Sequence, residues 1–192
     1  MSPTSKKNAL SETLHIGPVD WRRLVEWLQQ DKVIAEDEAQ RTIGRCSQAE
    51  SVQHPLVRLA SVSMRRASDQ KPLDIEMLTQ WLALRAGLDY LRIDPLKVDV
   101  GKVADAMGSA YAERHRILPV AVTPSEITVA TAEPFITDWV AEVERQSRRS
   151  VKRVVTSPQE ITRYTAEFYA LAKSVRAASK SGVNNGASFE QL

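Results

Sequence analysis

Three histidines, one cysteine, scattered carboxylates and one tight basic run are the side chains of this sequence with chemistry to offer. A metal site needs ligands that helical or turn spacing brings to one face, and His15, His54 and His115 stand far apart with none at such a spacing. His115, inside Arg114-His115-Arg116, fits the cationic end of a helix, where it complements the helix dipole. Cys46 has no second cysteine or histidine in its local pattern, which suits a small, partly buried side chain better than a nucleophile. Glu36 and Glu38 fit the electrostatics of a helix start, whereas a catalytic dyad would also need burial to move a pKa. The seven glycines never form the cradle ending in Gly-Lys-Ser or Gly-Lys-Thr that nucleotide hydrolysis uses, and no Gly-x-Ser-x-Gly elbow occurs. No catalytic residues and no metal site are therefore expected here. The basic run, Arg148, Arg149, Lys152 and Arg153, offers charge pairing alone: a solvated edge, or more sharply a surface for an acidic protein or a membrane.

The composition bounds the rest. With 192 residues, 43% of them hydrophobic, the chain can bury one ordinary core or two small ones. A formal net charge of +2 gives no strong field toward nucleic acid or an anionic bilayer. A single cysteine excludes an internal disulfide framework and suits a reducing cytosol. No apolar run approaches the roughly 20 residues that span a bilayer, and Met1 to Asn8 lacks a signal-peptide core, so a cytoplasmic location with no membrane span is expected.

The elements that must position these residues follow from spacing. Asp20 caps a helix in which Trp21, Leu24, Val25 and Leu28 share a face to about Gln30. Glu36 to Ile43 gives a second helix stopped by Gly44. Pro55 opens a third, running toward Met64-Arg65-Arg66, and Asp74 caps a fourth, with Met77, Leu78, Trp81 and Leu82 on one side and Gly87 as its terminator. After Gly87 the pattern changes. Leu88 to Ile93 alternates as a short strand, Val100 to Arg114 repeats at helical spacing, and Ile117 to Val122 and Ile127 to Ala132 flank Thr123-Pro124-Ser125-Glu126 as a hairpin. Pro134 then opens a helix through Phe135, Ile136, Trp139, Val140 and Val143. Ser150 to Val155 forms a strand, and Pro158 to about Val175 a last helix.

The fold class is therefore α+β, a small N-terminal helical bundle followed by a small β-α-β-β-α-β-α domain. Four segments are expected: a flexible N-terminus at 1–18, a helical subdomain at 19–86, an α/β subdomain at 87–175, and a linker at 176–192. Ser188 and Gln191 near the end have the spacing of a capping box opening another helix. The strand order resembles an RNA-binding module that stacks bases on strand aromatics. The two hairpin strands carry none, which argues against nucleic acid.

Longer runs of residues carry a resemblance. Pro72 to Tyr90, then Tyr111 to Val120 with its Leu118-Pro119, then Ile127 to Pro134, and Val154 to Ile161 with Tyr164, resemble the N-terminal region of the type II secretion and type IV pilus assembly ATPases. The similarity runs from about Val19 to Tyr169. It implies a noncatalytic docking and regulatory region of a hexameric motor at the cytoplasmic face of the inner membrane. Its expected partners are the cytoplasmic domain of an inner-membrane platform protein and the motor's own ATPase domain, reached through the 176–192 linker. ATP and Mg²⁺ are expected only in that motor domain, with no cofactor in these residues.

Some members of the family bind cyclic di-GMP through a tandem motif of Arg-Leu-Gly, apolar residues and a second glycine. On that likeness the ligand residues here are Arg23, Leu24, Leu28 and Leu56. Val25 and Lys32 stand at glycine positions of the first copy, and Val57 and Met64 at those of the second. Glycine at such places lets a flat ligand approach the backbone.

Overall fold

The structure, a computed structural model, describes residues 15–48 and 51–185. Its first lobe is built from α1 (Trp21–Gln30), α2 (Glu36–Ser47), α3 (Pro55–Ser61) and α4 (Ile75–Ala86). Asp20 begins α1 by accepting the N–H groups of Arg22 and Arg23 at 2.9 and 3.3 Å. Asp74 begins α4 by accepting that of Met77 at 2.8 Å. Gly87 ends α4 in the left-handed region at φ 65, its N–H on Leu84 O and that of Leu88 on Ala83 O. Leu24, Leu28, Leu56, Leu59, Leu78 and Leu82 are fully buried where the four helices meet.

Two helix ends differ from the sequence expectation. Gly44 does not stop α2, which runs on to Ser47, because burial of Thr42 and Cys46 on the inner face offsets the roughly 1 kcal/mol that a glycine costs within a helix. Conversely α3 stops at Ser61, short of Met64-Arg65-Arg66. Ser63 takes φ 51, and this turn sends Met64 into the core, where its carbonyl accepts the Leu73 N–H at 2.7 Å.

The second lobe is a four-stranded mixed sheet in the order β1-β4-β3-β2, formed by β1 (Asp89–Tyr90), β2 (Ile117–Val122), β3 (Glu126–Thr131) and β4 (Ser150–Val155). The hairpin is present: β2 and β3 pair antiparallel, and Thr123 closes the turn by exchanging hydrogen bonds with Glu126. The register shifts between Pro119 and Ala121, as expected where proline supplies no N–H to the ladder. β4 runs parallel to both β3 and β1. Alternation along the strands sends Leu118, Ala130 and Val154 to one face, under α8 (Pro158–Asn185), and Ile117, Ile127 and Val129 to the other, under α7 (Val140–Ser147).

Four expectations in this lobe are corrected. The first strand shrinks from Leu88–Ile93 to Asp89–Tyr90, although Leu91 still donates to Val155 O at 2.8 Å. The helix over Val100–Arg114 is two helices, α5 (Val100–Ala106) and α6 (Ser109–His115). Met107 is extended between them, its side chain buried and its carbonyl taken by the Tyr169 hydroxyl at 2.8 Å, with Gly108 weakening continuity. The expected β-α-β-β-α-β-α order thus becomes β-α-α-β-β-α-β-α.

The helix expected from Pro134 starts at Val140 instead, because residues 133–139 turn toward the helical lobe. Lastly, α8 does not give way to a linker after Val175 but continues through Asn185. Ala177 and Ala178 favour helix, and the Arg176 guanidinium pairs with Asp105. The capping box at Ser188 lies outside the described residues.

Candidate functional site

The four residues singled out for a ligand do not share a surface. Leu24, Leu28 and Leu56 come together in the helical core and are fully buried, while Arg23 is exposed on the outside of α1, its guanidinium 3.1 Å from Glu26. Val25 is buried with the leucines. Lys32 takes φ 58 just after α1, a left-handed backbone that glycine adopts without strain. The residue type at that place therefore has a conformational consequence independent of any ligand.

The polar side chains that the fold does bring together lie where the lobes meet. Glu133 follows β3, is 8% exposed, and accepts the Val19 N–H on Oε2 at 2.8 Å. Its Oε1 lies 3.1 Å from His54 Nε2, within ion-pair distance but off the line of a good hydrogen bond. His54 sits at the start of α3, where Nδ1 accepts the Leu56 N–H at 3.2 Å. An imidazole whose Nδ1 accepts carries its proton on Nε2, so the hydrogen faces the Glu133 carboxylate.

Around this pair Gly17 donates to Phe135 O at 3.2 Å, and the rings of His15, Trp27 and Phe135 meet edge to face at 5.3–5.5 Å between centroids. Trp27 is covered in turn by Arg85, which lies 4.6 Å over its ring and pairs with Asp31 at 2.6 Å. A cavity of about 270 Å³ opens beside the pair, lined by His54, Glu133, Arg116, Pro158, Ile161 and Thr162 among others. The lobes are thus clasped through the segment after β3.

The other chemistry-bearing residues have structural partners. Burial pushes the Cys46 thiol pKa up, which suppresses thiolate formation. His115 packs its ring on Tyr111 at 4.3 Å. In the basic run, Arg149 donates to Thr123 O and Ser147 O, Arg153 donates to Pro134 O at 2.8 Å, and Lys152 lies 3.0 Å from Asp89. These three side chains hold turns and strand edges, while Arg148 is exposed at the end of α7 with φ 55. Among the described residues no group of three or more His, Cys, Asp or Glu side chains is placed to hold a metal, and no helix is long and apolar enough to cross a membrane.

Glu133 and His54 were not singled out from sequence. The available signals were a carboxylate directly after an apolar strand and a polar side chain directly before Pro55, the N-cap position of a helix. Their meeting depends on tertiary structure.

Comparison with known proteins gives concordant results. Residues 86–175 match the MshEN domain family. The type IV pilus assembly ATPase TfpB of Acinetobacter baylyi (strain ATCC 33305 / BD413 / ADP1) is 37% identical over 127 residues, covering 65% of this chain and 22% of that protein. The chain therefore spans about a fifth of the length of this relative. Among solved structures, MshE with cyclic di-GMP shares the fold, with a TM-score of 0.53 and 16% identity over 77% of this chain and 99% of that one. The N-terminal domain of XpsE gives a TM-score of 0.46 and 14% identity over 79% of this chain and 97% of that one. Residues 86–175 thus match the MshEN domain family, and the chain is similar over 127 residues to a type IV pilus assembly ATPase.

Proposed function

We propose that this chain is the noncatalytic docking and regulatory region of a pilus-assembly or secretion motor ATPase, linking the motor to an inner-membrane platform protein at the cytoplasmic face. The observation that carries this reading is the homology to a pilus assembly ATPase over 127 residues, of which this chain spans 22%. ATP, Mg²⁺ and hexamer formation belong, on this reading, to the rest of such a protein. The clasp between the lobes supports it physically: a surface that reports to a motor must be rigid enough to transmit a load, and the buried Glu133, His54 and Val19 contacts join the helical front to the sheet. The test is calorimetric titration of this chain against the purified cytoplasmic domain of the cognate platform protein. Saturable binding at micromolar concentration is expected, and none at several hundred micromolar would sink the reading.

A second reading, a cyclic di-GMP sensor, is favoured by the fold shared with MshE solved with that ligand. A ligand that binds only the native state raises the melting temperature as its concentration exceeds Kd. The sensor reading expects such a rise with cyclic di-GMP. A flat response at saturating ligand removes the sensor role and leaves the docking role intact.

A further inference from the structure

A helix on the outside of a folded lobe ordinarily buries one apolar stripe and turns polar side chains to solvent. α4 is apolar on both sides. Leu78, Leu82 and Ala83 are buried against the other helices, while Met77, Trp81 and Leu84 recur at i, i+4 and i+7 on the outward side, followed by Leu88 in the turn that ends the helix. Leu84 is 81% exposed, and Met77, Trp81 and Leu88 are half-buried along the same strip. Contiguous apolar surface of this kind marks an interaction site more often than a scattered leucine does.

The margins of the strip are already neutral. On one side Asp31 accepts the Trp81 indole N–H at 2.8 Å and pairs with Arg85 at 2.6 Å. On the other, Glu76 pairs with Arg92 at 3.6 Å. The one polar atom of the Trp81 ring is thus satisfied within the chain. Covering the strip strands no donor and removes mostly carbon surface from water.

This chemistry selects among occupants. An anionic membrane surface is drawn to unpaired lysines and arginines beside an apolar face, whereas the cations flanking this one have carboxylate partners. A second copy of the chain would meet the strip with the same strip, which gives only about a few hundred Å² per side. A stable pair takes about 800 Å² per partner. A helix of a different protein can lay its apolar side along anchors at i, i+4 and i+7 and add polar contacts of its own at the rim. Gly87 joins α4 directly to β1, so an occupant held there is connected to both lobes.

We propose that the outward face of α4 docks the apolar side of an uncharged amphipathic helix face presented by the platform protein's cytoplasmic domain, with Leu84 and Trp81 as its anchors. This assignment rests on the docking role and names the surface that performs it.

The test is calorimetric titration of the whole 192-residue chain against the purified cytoplasmic domain of the cognate platform protein, comparing the parent with Leu84→Glu and Leu84→Ala. Leu171→Glu, whose leucine is 52% exposed on α8, is the control on another face. Leu84→Glu should weaken binding by at least about 20-fold, because it buries an unpaired carboxylate, and Leu84→Ala by about three- to tenfold. Leu171→Glu should bind as the parent does. Both Leu84 variants should melt within about 2 °C of the parent, since the side chain is on the surface. A parent that binds while Leu84→Glu binds equally well overturns this surface and leaves the docking role standing, and so does an equal loss in Leu171→Glu. A parent that does not bind overturns both. A melting temperature several degrees lower in Leu84→Ala would show that the leucine is covered within the chain, which also overturns the proposal. So would sedimentation in which the parent self-associates and Leu84→Glu stays monomeric, because the strip would then belong to a second copy.

Discussion

Glu133→Ala is expected to destabilise the folded chain by about 1–3 kcal/mol, because it leaves the buried Val19 N–H without its acceptor. That N–H now lies 2.8 Å from Oε2, while His54 Nε2, 3.1 Å from Oε1 but off the line of a hydrogen bond, loses only a facing carboxylate. For a chain of this size the loss corresponds to a fall of about 2–12 °C in melting temperature. Calorimetry and urea unfolding would measure it, and hydrogen exchange would locate it, the Val19 amide losing protection first. Glu133→Gln keeps a carbonyl oxygen for the Val19 N–H but turns its amide N–H groups toward His54 Nε2, so it should recover only part of the loss. A change below about 0.5 kcal/mol in the alanine variant would show that water replaces the carboxylate and that the lobes are held by apolar contact alone.

Leu28→Ala has the larger expected effect, a loss of about 3–4 kcal/mol, since a fully buried leucine removed from a helical core leaves a cavity that closes only in part. Arg23→Ala, by contrast, removes an exposed guanidinium paired with an exposed Glu26 and should alter stability by less than about 0.5 kcal/mol. The contrast decides how a cyclic di-GMP response is to be examined. Loss of binding in Leu28→Ala would follow from unfolding, whereas loss in Arg23→Ala with an unchanged melting temperature would place the ligand on α1. A Leu28→Ala variant as stable as the parent, by denaturant titration, would contradict the burial of that face.

Local chemistry carried much of the fold into the sequence. Asp20 before an apolar face, Asp74 and Gly87 bracketing α4, and two β-branched runs around Thr123-Pro124-Ser125-Glu126 each state a preference that their neighbours reinforce. The misplaced ends are where tertiary forces prevailed. Burial of Thr42 and Cys46 carries α2 through Gly44, and contact with Trp27 draws Phe135 out of the helix its spacing suggested. The break at Met107 is of the same kind, since Tyr169, far along the chain, takes the carbonyl.

The ligand residues were read from a motif whose leucines are core positions. Periodicity gives the same pattern for a leucine beneath a helix as for one beside a ligand. The meeting of Glu133 with His54 was illegible for a different reason, because it depends on how the two lobes dock.

The bond from Val19 to Glu133 closes a separation of 114 residues and thereby sets an order in time. During synthesis at about 5–20 residues per second, Val19 is made roughly 6–23 s before Glu133, and the helical lobe, complete at Ala86, waits roughly 2–9 s for its clasp. Over that interval Trp27 lacks Phe135, and the Val19 N–H lacks its carboxylate. The newborn front half is therefore a loosely finished bundle with an exposed aromatic face, and the carboxylate that completes it arrives with the sheet. Variants that weaken Glu133 would for that reason show their defect first as a lower yield of folded protein from the ribosome, ahead of any loss in the purified material.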